Sequence, residues 1–202
     1  GDEPIYKYDL KNAIKQGVLV EMNVLKLDYE LYEDEIEKIK QIYARHKTDL
    51  DEGMPKWKAD EKRNMNISDV RKNARNKIEV FENKIDELTP YLNRSFIFAD
   101  ETNYGDKLLN ILAHKVDVRT HYGKNDKENL ARFSSGEINC IINVMKLSQG
   151  IDVQSLNTII LFATPRGRQF IQRLGRVLRI DPNNQQKEAT VIDFCDKKQI
   201  DE

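Results

Sequence analysis

Ile138-Asn139-Cys140-Ile141-Ile142-Asn143-Val144-Met145-Lys146-Leu147-Ser148-Gln149-Gly150-Ile151-Asp152-Val153 is the stretch on which the fold turns. In its first part Cys140, Ile141 and Ile142 are apolar in succession, so a strand there is apolar on both faces. Ile159-Ile160-Leu161-Phe162 repeats the pattern. Such strands belong to a parallel sheet covered by helices on both sides, because a solvated face would place polar residues at alternate positions. Working outward, apolar β-rich runs at 96–99, 116–119, 138–144, 158–163 and 189–194 alternate with helical patterns at about 105–114, 125–134 and 168–179. The predicted class is α/β: a parallel-sheet core over 94–202, preceded by an N-terminal strand and helices over 1–93. Ligands of such sheets sit at the carboxyl ends of the strands, so the loops after Ala99, Tyr122, Val144 and Ala163 are where function is expected.

The N-terminal part reads differently. Val18-Leu19-Val20 and Val24-Leu25 suggest an edge strand or hairpin. From Asp28 to Arg63, 11 acidic and 8 basic residues occupy more than half of the 36 positions, and Tyr32, Ile36, Ile39 and Tyr43 form one stripe of a surface helix. Asp51-Glu52-Gly53-Met54-Pro55 carries turn chemistry, and 47–66 reads as a flexible insertion around a lone Trp57. After Ser68 a long helix is expected. Its stripe of Val70, Ala74, Ile78, Phe81, Ile85, Leu88 and Leu92 suits either packing on a sheet or a coiled-coil seam, and Pro90 ends it.

The 202 residues hold 33 Lys or Arg and 34 Asp or Glu, a third charged against roughly a quarter in average proteins. No apolar run approaches the roughly 18 residues of a membrane span, and no secretory leader opens the chain, so a cytoplasmic location is expected. Cys140 and Cys195 sit inside apolar strand-like runs, as small buried thiols rather than a disulfide or metal framework. His46, His114 and His121 lack the spacing of a zinc site. The chain starts at Gly1-Asp2 rather than Met, as expected of a piece cut from something longer.

Two loops carry chemistry. After the 138–144 run, Lys146 and Ser148 suit a phosphate, Gly150 permits close backbone approach, and Asp152 suits a ribose hydroxyl or an arginine; an Asx turn is the plainer reading. Between 166 and 179 stand five arginines (166, 168, 173, 176 and 179) with no lysine or carboxylate. On a helix Gln169, Gln172, Arg176 and Arg179 share one face, opposite Phe170 and Leu174. Like charges at that spacing repel unless an anion meets them, and the guanidinium fork suits phosphate oxygens. A basic solvated face and a polyphosphate or nucleic-acid site remain the two readings of these residues alone.

Gln172-Arg173-Leu174-Gly175-Arg176-Val177-Leu178-Arg179 resembles motif VI of the C-terminal RecA-like domain of superfamily 2 helicases and DNA translocases. Ser148 to Val153 resembles motif V, Ser95 to Asp100 motif IV, and His121-Tyr122-Gly123 with Arg132 to Glu137 the segment between them. The wording of Ile5 to Val20 and of Phe170 to Arg176 is similar to the XPB-like and restriction-helicase-like branch. The resemblance implies that Arg176 and Arg179 act as arginine fingers on the β and γ phosphates of ATP, with Gln172 near the γ-phosphate and Gly150 and Asp152 on the ribose side. It implies that Asp100, Thr102, His121, Asn143, Lys146 and Ser148 line a nucleic-acid track, with DNA the expected substrate and RNA not set aside. The partner would be an N-terminal RecA-like lobe holding most of the ATP and its Mg2+, and the piece itself a monomer. Gln149 stands where relatives carry an acidic residue, and Asn143-Val144 where many carry Ser or Thr.

No G-x-x-x-x-G-K-[ST] is present; Gly123-Lys124-Asn125 lacks the upstream glycine. Phe96 to Glu101 imitates a strand ending in a magnesium-binding Asp-Glu pair, a reading set aside for want of that phosphate loop. ATP hydrolysis by this piece alone is therefore not expected. The competing readings are a non-catalytic nucleic-acid-binding module of the same fold and, from the 68–92 stripe, a coiled-coil dimer.

Overall fold

The computed structural model describes residues 22–123, 126–144, 156–163 and 189–197. Six strands are described: β1 (Met22–Tyr29), β2 (Ser95–Ala99), β3 (Val118–His121), β4 (Cys140–Val144), β5 (Thr158–Leu161) and β6 (Ala189–Asp196). They form one sheet in the order β1-β6-β5-β2-β4-β3, and every pairing is parallel. The period-two alternation sorts the apolar side chains cleanly. Ile97, Ala99, Cys140, Ile142, Ile160, Ile192 and Phe194 face one core, and Phe96, Phe98, Ile141, Ile159, Leu161 and Val191 face the other.

The first core is covered by α3 (Asn76–Asn83), the short α4 (Ile85–Leu88) and α5 (Thr102–Leu112), through Phe81, Ile85, Leu88, Tyr104, Leu108 and Leu112. The second lies under α6 (Lys127–Ser135), which contributes Phe133 and Leu130. Gly136 ends α6 at φ 88°, a left-handed position that a side chain would strain, and Glu137 N–H closes the cap on the Arg132 carbonyl at 2.9 Å. Cys140 is buried and its thiol is pushed up to about 12 by that burial, so it packs as an apolar group.

Of the three N-terminal expectations, two change. The expected edge strand is met at Val24-Leu25, which lie in β1 at the edge of the sheet, parallel to β6, while Val18-Leu19-Val20 lie outside the described residues. The expected flexible insertion at 47–66 is helical over most of its length. α1 (Glu33–Asp51) continues to Asp51, Gly53 turns at φ 88°, and α2 (Lys56–Lys72) begins at once. The charges that make this stretch look like loop pair the two helices instead: Asp49 accepts from Lys62 at 2.8 Å and from Arg45 at 3.1 Å, and His46 meets Asp60 at 2.8 Å. The Lys62 bond holds the Asp49 carboxyl below the usual carboxylate range.

The long 68–92 helix is instead broken at 73–75 and again at Lys84. At the first break the freed backbone groups are satisfied from elsewhere. Arg75 N–H donates to Glu35 Oε1 at 3.0 Å, and the Ala74 carbonyl accepts from the Tyr104 hydroxyl at 3.0 Å. Ala74, Phe81, Ile85, Leu88 and Leu92 of the stripe are buried in the first core, so its apolar face belongs to the sheet and offers no continuous coiled-coil seam. Among the described residues no helix is long and apolar enough to cross a membrane.

Candidate nucleic-acid interface at the carboxyl edge of the sheet

Because all strands run the same way, their carboxyl ends share one edge, and the described candidates gather there. Phe98 of β2 is level with Asn143 of β4, which is level with His121 of β3. Residues level in a parallel sheet share a face, so His121 and Asn143 are neighbours on the α6 side. Asp100 follows the end of β2, and Thr102 opens α5 as an exposed first residue. Lys146, Ser148, Gly150, Asp152, Gln172, Arg176 and Arg179 lie outside the described residues.

His121 is almost fully buried, and its Nδ1–H donates to the Asp126 carbonyl at 3.2 Å. A carbonyl can only accept, so this bond selects the Nδ1–H tautomer and leaves Nε2 as the acceptor of the neutral ring. The Asp126 carboxylate accepts from Tyr122 N–H at 2.8 Å, and Asn129 donates to the Thr120 carbonyl at 3.0 Å. The start of α6 thus fixes the β3 exit at three successive residues. Asn143 is fully buried; its Nδ2 donates to the Val144 carbonyl at 3.3 Å, while Oδ1 has no partner among the described residues. A buried acceptor left so is costly, which makes Oδ1 a place for an incoming N–H or O–H.

Asp100 is engaged from α2: Asn73 Nδ2 donates to it at 3.3 Å and Lys72 Nζ lies 3.6 Å away. Arg71 Nε lies 3.5 Å from Asp196 at the end of β6. Arg71, Lys72 and Asn73 therefore sit over the carboxyl edge and engage the carboxylates there, two by charge and one by an amide N–H. Sequence reasoning had no signal for these three. Among the described residues no group of three or more His, Cys, Asp or Glu is placed to hold a metal.

Gly105 in the first turn of α5 makes room for the β3 exit. A Cβ there would stand 2.4 Å from the Tyr122 hydroxyl and 3.0 Å from its ring carbon. That hydroxyl donates to Asp106 at 3.1 Å; burial foremost, and then the Asp106 bond, raise the Tyr122 pKa. Gly105→Ala is expected to cost about 1–3 kcal/mol in urea unfolding by overpacking against the ring. Combined with Tyr122→Phe, which removes the closest atom, the loss should be smaller than the sum of the two single losses.

The model of the helicase conserved C-terminal domain matches residues 61–181. No curated protein matches the chain. Among solved structures, the Sulfolobus solfataricus SWI2/SNF2 ATPase C-terminal domain is similar at TM-score 0.57 and 14% identity, over 90% of this chain and 84% of that one. The ATPase core domain from the same organism is similar at TM-score 0.63 and 15% identity, over 96% of this chain and 44% of that one. The same core in complex with dsDNA matches at TM-score 0.61 and 15% identity, over 89% and 43%. The chain thus spans less than half of either core. At these identities the likeness concerns the fold, a RecA-like sheet with helices on both faces. With the family model covering more than half of its length, the chain belongs to the helicase conserved C-terminal domain family.

Proposed function

We propose that the chain is the second motor lobe of an ATP-dependent DNA helicase or translocase. The observation that carries this reading is the family match at 61–181, which takes in both the carboxyl-edge residues and the whole arginine segment. In this reading Arg176 and Arg179 present fixed cations to the β and γ phosphates of ATP held mainly by an N-terminal RecA-like lobe, and Gln172 lies beside the γ-phosphate. Gly150 and Asp152 meet the ribose side. Cations fixed at that position stabilise the charge that spreads over the transferring phosphoryl group. Since they come from one lobe and the nucleotide from the other, binding closes the lobes and hydrolysis releases them.

Asp100, Thr102, His121, Asn143, Lys146 and Ser148 would line the nucleic-acid track and touch its backbone, so binding would be salt-dependent and largely indifferent to sequence. The archaeal core that shares the fold is described in complex with dsDNA, which favours duplex DNA as the substrate. Mg2+ would supply charge neutralisation at the phosphates from the other lobe. The acidic residue here that most resembles a strand-end metal ligand, Asp100, is already paired with Lys72 and Asn73. The presence of Gln172, Arg176 and Arg179 together favours the motor over a non-catalytic module, which needs no such set. The test is ATP turnover by the complete protein with and without duplex DNA. The expected result is a DNA-dependent rise that fades as salt is added; turnover indifferent to DNA contradicts the proposal.

A further inference from the structure

We propose that Lys77 is a positioning residue of this motor: its ammonium holds the carbonyl of Phe162 and so fixes the end of β5, from which the chain runs through Ala163-Thr164-Pro165 to the arginine segment 166–179. The role rests on the motor reading above, since it concerns where the arginines start.

Lys77, on α3, is only 5% exposed, and its Nζ donates to the Phe162 carbonyl at 2.9 Å. It has no carboxylate within ion-pair distance among the described residues; the ammonium lies instead over the rings of Tyr29 at 4.7 Å and Phe194 at 5.8 Å. Burying an ammonium without a paired carboxylate is expensive. A methionine would pack against the same two rings at no such cost, so the carbonyl it serves is the reason to look at it. The ladders of β5 end at Leu161, opposite Asp193 of β6 and Phe98 of β2. Past that point Lys77 takes the Phe162 carbonyl, and Ala163 N–H donates to the Phe98 carbonyl at 3.0 Å. The Phe162 ring is held by Phe81, Tyr104 and Phe194, with centroids at 5.2, 5.6 and 4.5 Å. The exit of β5 is thus pinned at a ring, an amide and a carbonyl, and the carbonyl is the point that depends on charge.

The groups facing the ammonium are Asp193 and Asp196 from β6, Glu35 from α1, Arg71 from α2 and Tyr29 from β1. Burial outweighs the attraction of the three carboxylates and, with Arg71, brings the Lys77 pKa down to about 8. The sign follows directly. Between about 8 and the ordinary lysine value of 10.5 the unfolded chain binds the extra proton, so this group adds stability as pH rises through that window. The bond to Phe162, in contrast, loses its charge assistance over the same rise.

The experiment compares wild type, Lys77→Met and Lys77→Gln in the complete protein, by DNA-stimulated ATP turnover from about pH 7 to 9 and by thermal unfolding. In Lys77→Met, kcat is expected to fall about tenfold or more with KM for ATP unchanged and the melting temperature not lowered. The wild-type decline above about pH 8 should be missing from that variant. Lys77→Gln, which keeps an N–H donor, should recover part of kcat, and it carries the comparison if the methionine variant does not fold. A kcat within about twofold of wild type in the variants overturns the proposal. Wild type without DNA-stimulated turnover would overturn the motor reading instead. In that event amide exchange at Ala163 decides on the pin itself: faster exchange in Lys77→Met supports it, and an unchanged rate removes it.

Discussion

Arg176→Ala is expected to lower DNA-stimulated ATP turnover by the complete protein at least about a hundredfold, and Arg179→Ala to do the same. The cause is electrostatic. A guanidinium fixed at the phosphates meets charge that exists mainly in the transition state, whereas a solvent cation must be brought there at each turnover. KM for ATP should change far less than kcat, since in the proposed arrangement most contacts to the nucleotide would belong to the other lobe. Arg176→Lys should recover little, because an ammonium lacks the planar two-pronged geometry that matches phosphate oxygens. Steady-state kinetics with saturating DNA reads all three variants.

The largest expected effect on stability is at Phe162. Its ring is fully buried among Phe81, Tyr104 and Phe194, in the core between the sheet and α3 and α5. Phe162→Ala should cost about 3–5 kcal/mol in urea unfolding, because three rings that meet edge-on or tilted cannot close on the space together. Trp57 makes the contrast. It is 69% exposed near the turn between α1 and α2, so Trp57→Ala should change unfolding free energy by no more than about 0.5 kcal/mol.

The sheet was legible because burial on both faces leaves an unmistakable pattern. Cys140-Ile141-Ile142 and Ile159-Ile160-Leu161 admit few other readings, and with strands and helices alternating the parallel order and the shared carboxyl edge follow. What escaped were interactions between segments far apart in the chain. The break at 73–75 is stabilised by Glu35 and Tyr104, and nothing local to Asn73-Ala74-Arg75 announces it. The helicity of 47–66 depends on Lys62, Arg45 and His46 finding Asp49 and Asp60, which composition alone presents as solvated charge. Lys77 did leave a trace. It stands three residues after Ala74 and four before Phe81, on the apolar face of the stripe, where a lysine is out of place.

Among the track candidates, Asp100, His121 and Asn143 were named by the resemblance to the helicase motifs, and their partners could not have been. Lys72 and Asn73 reach Asp100 from the carboxyl end of α2, with Asn73 27 residues before it, and Asp126 fixes His121 through a backbone carbonyl, which no residue type reveals.

The central claim is that this lobe supplies the cations for hydrolysis at an ATP site completed by another lobe. Single-turnover hydrolysis of ATP bound to the complete protein with duplex DNA, in wild type and Arg176→Ala, tests it most directly because it separates binding from chemistry. The account predicts that the variant binds ATP with an affinity within about tenfold of wild type and hydrolyses it at least about a hundredfold more slowly. Hydrolysis of the bound nucleotide at the wild-type rate would contradict it.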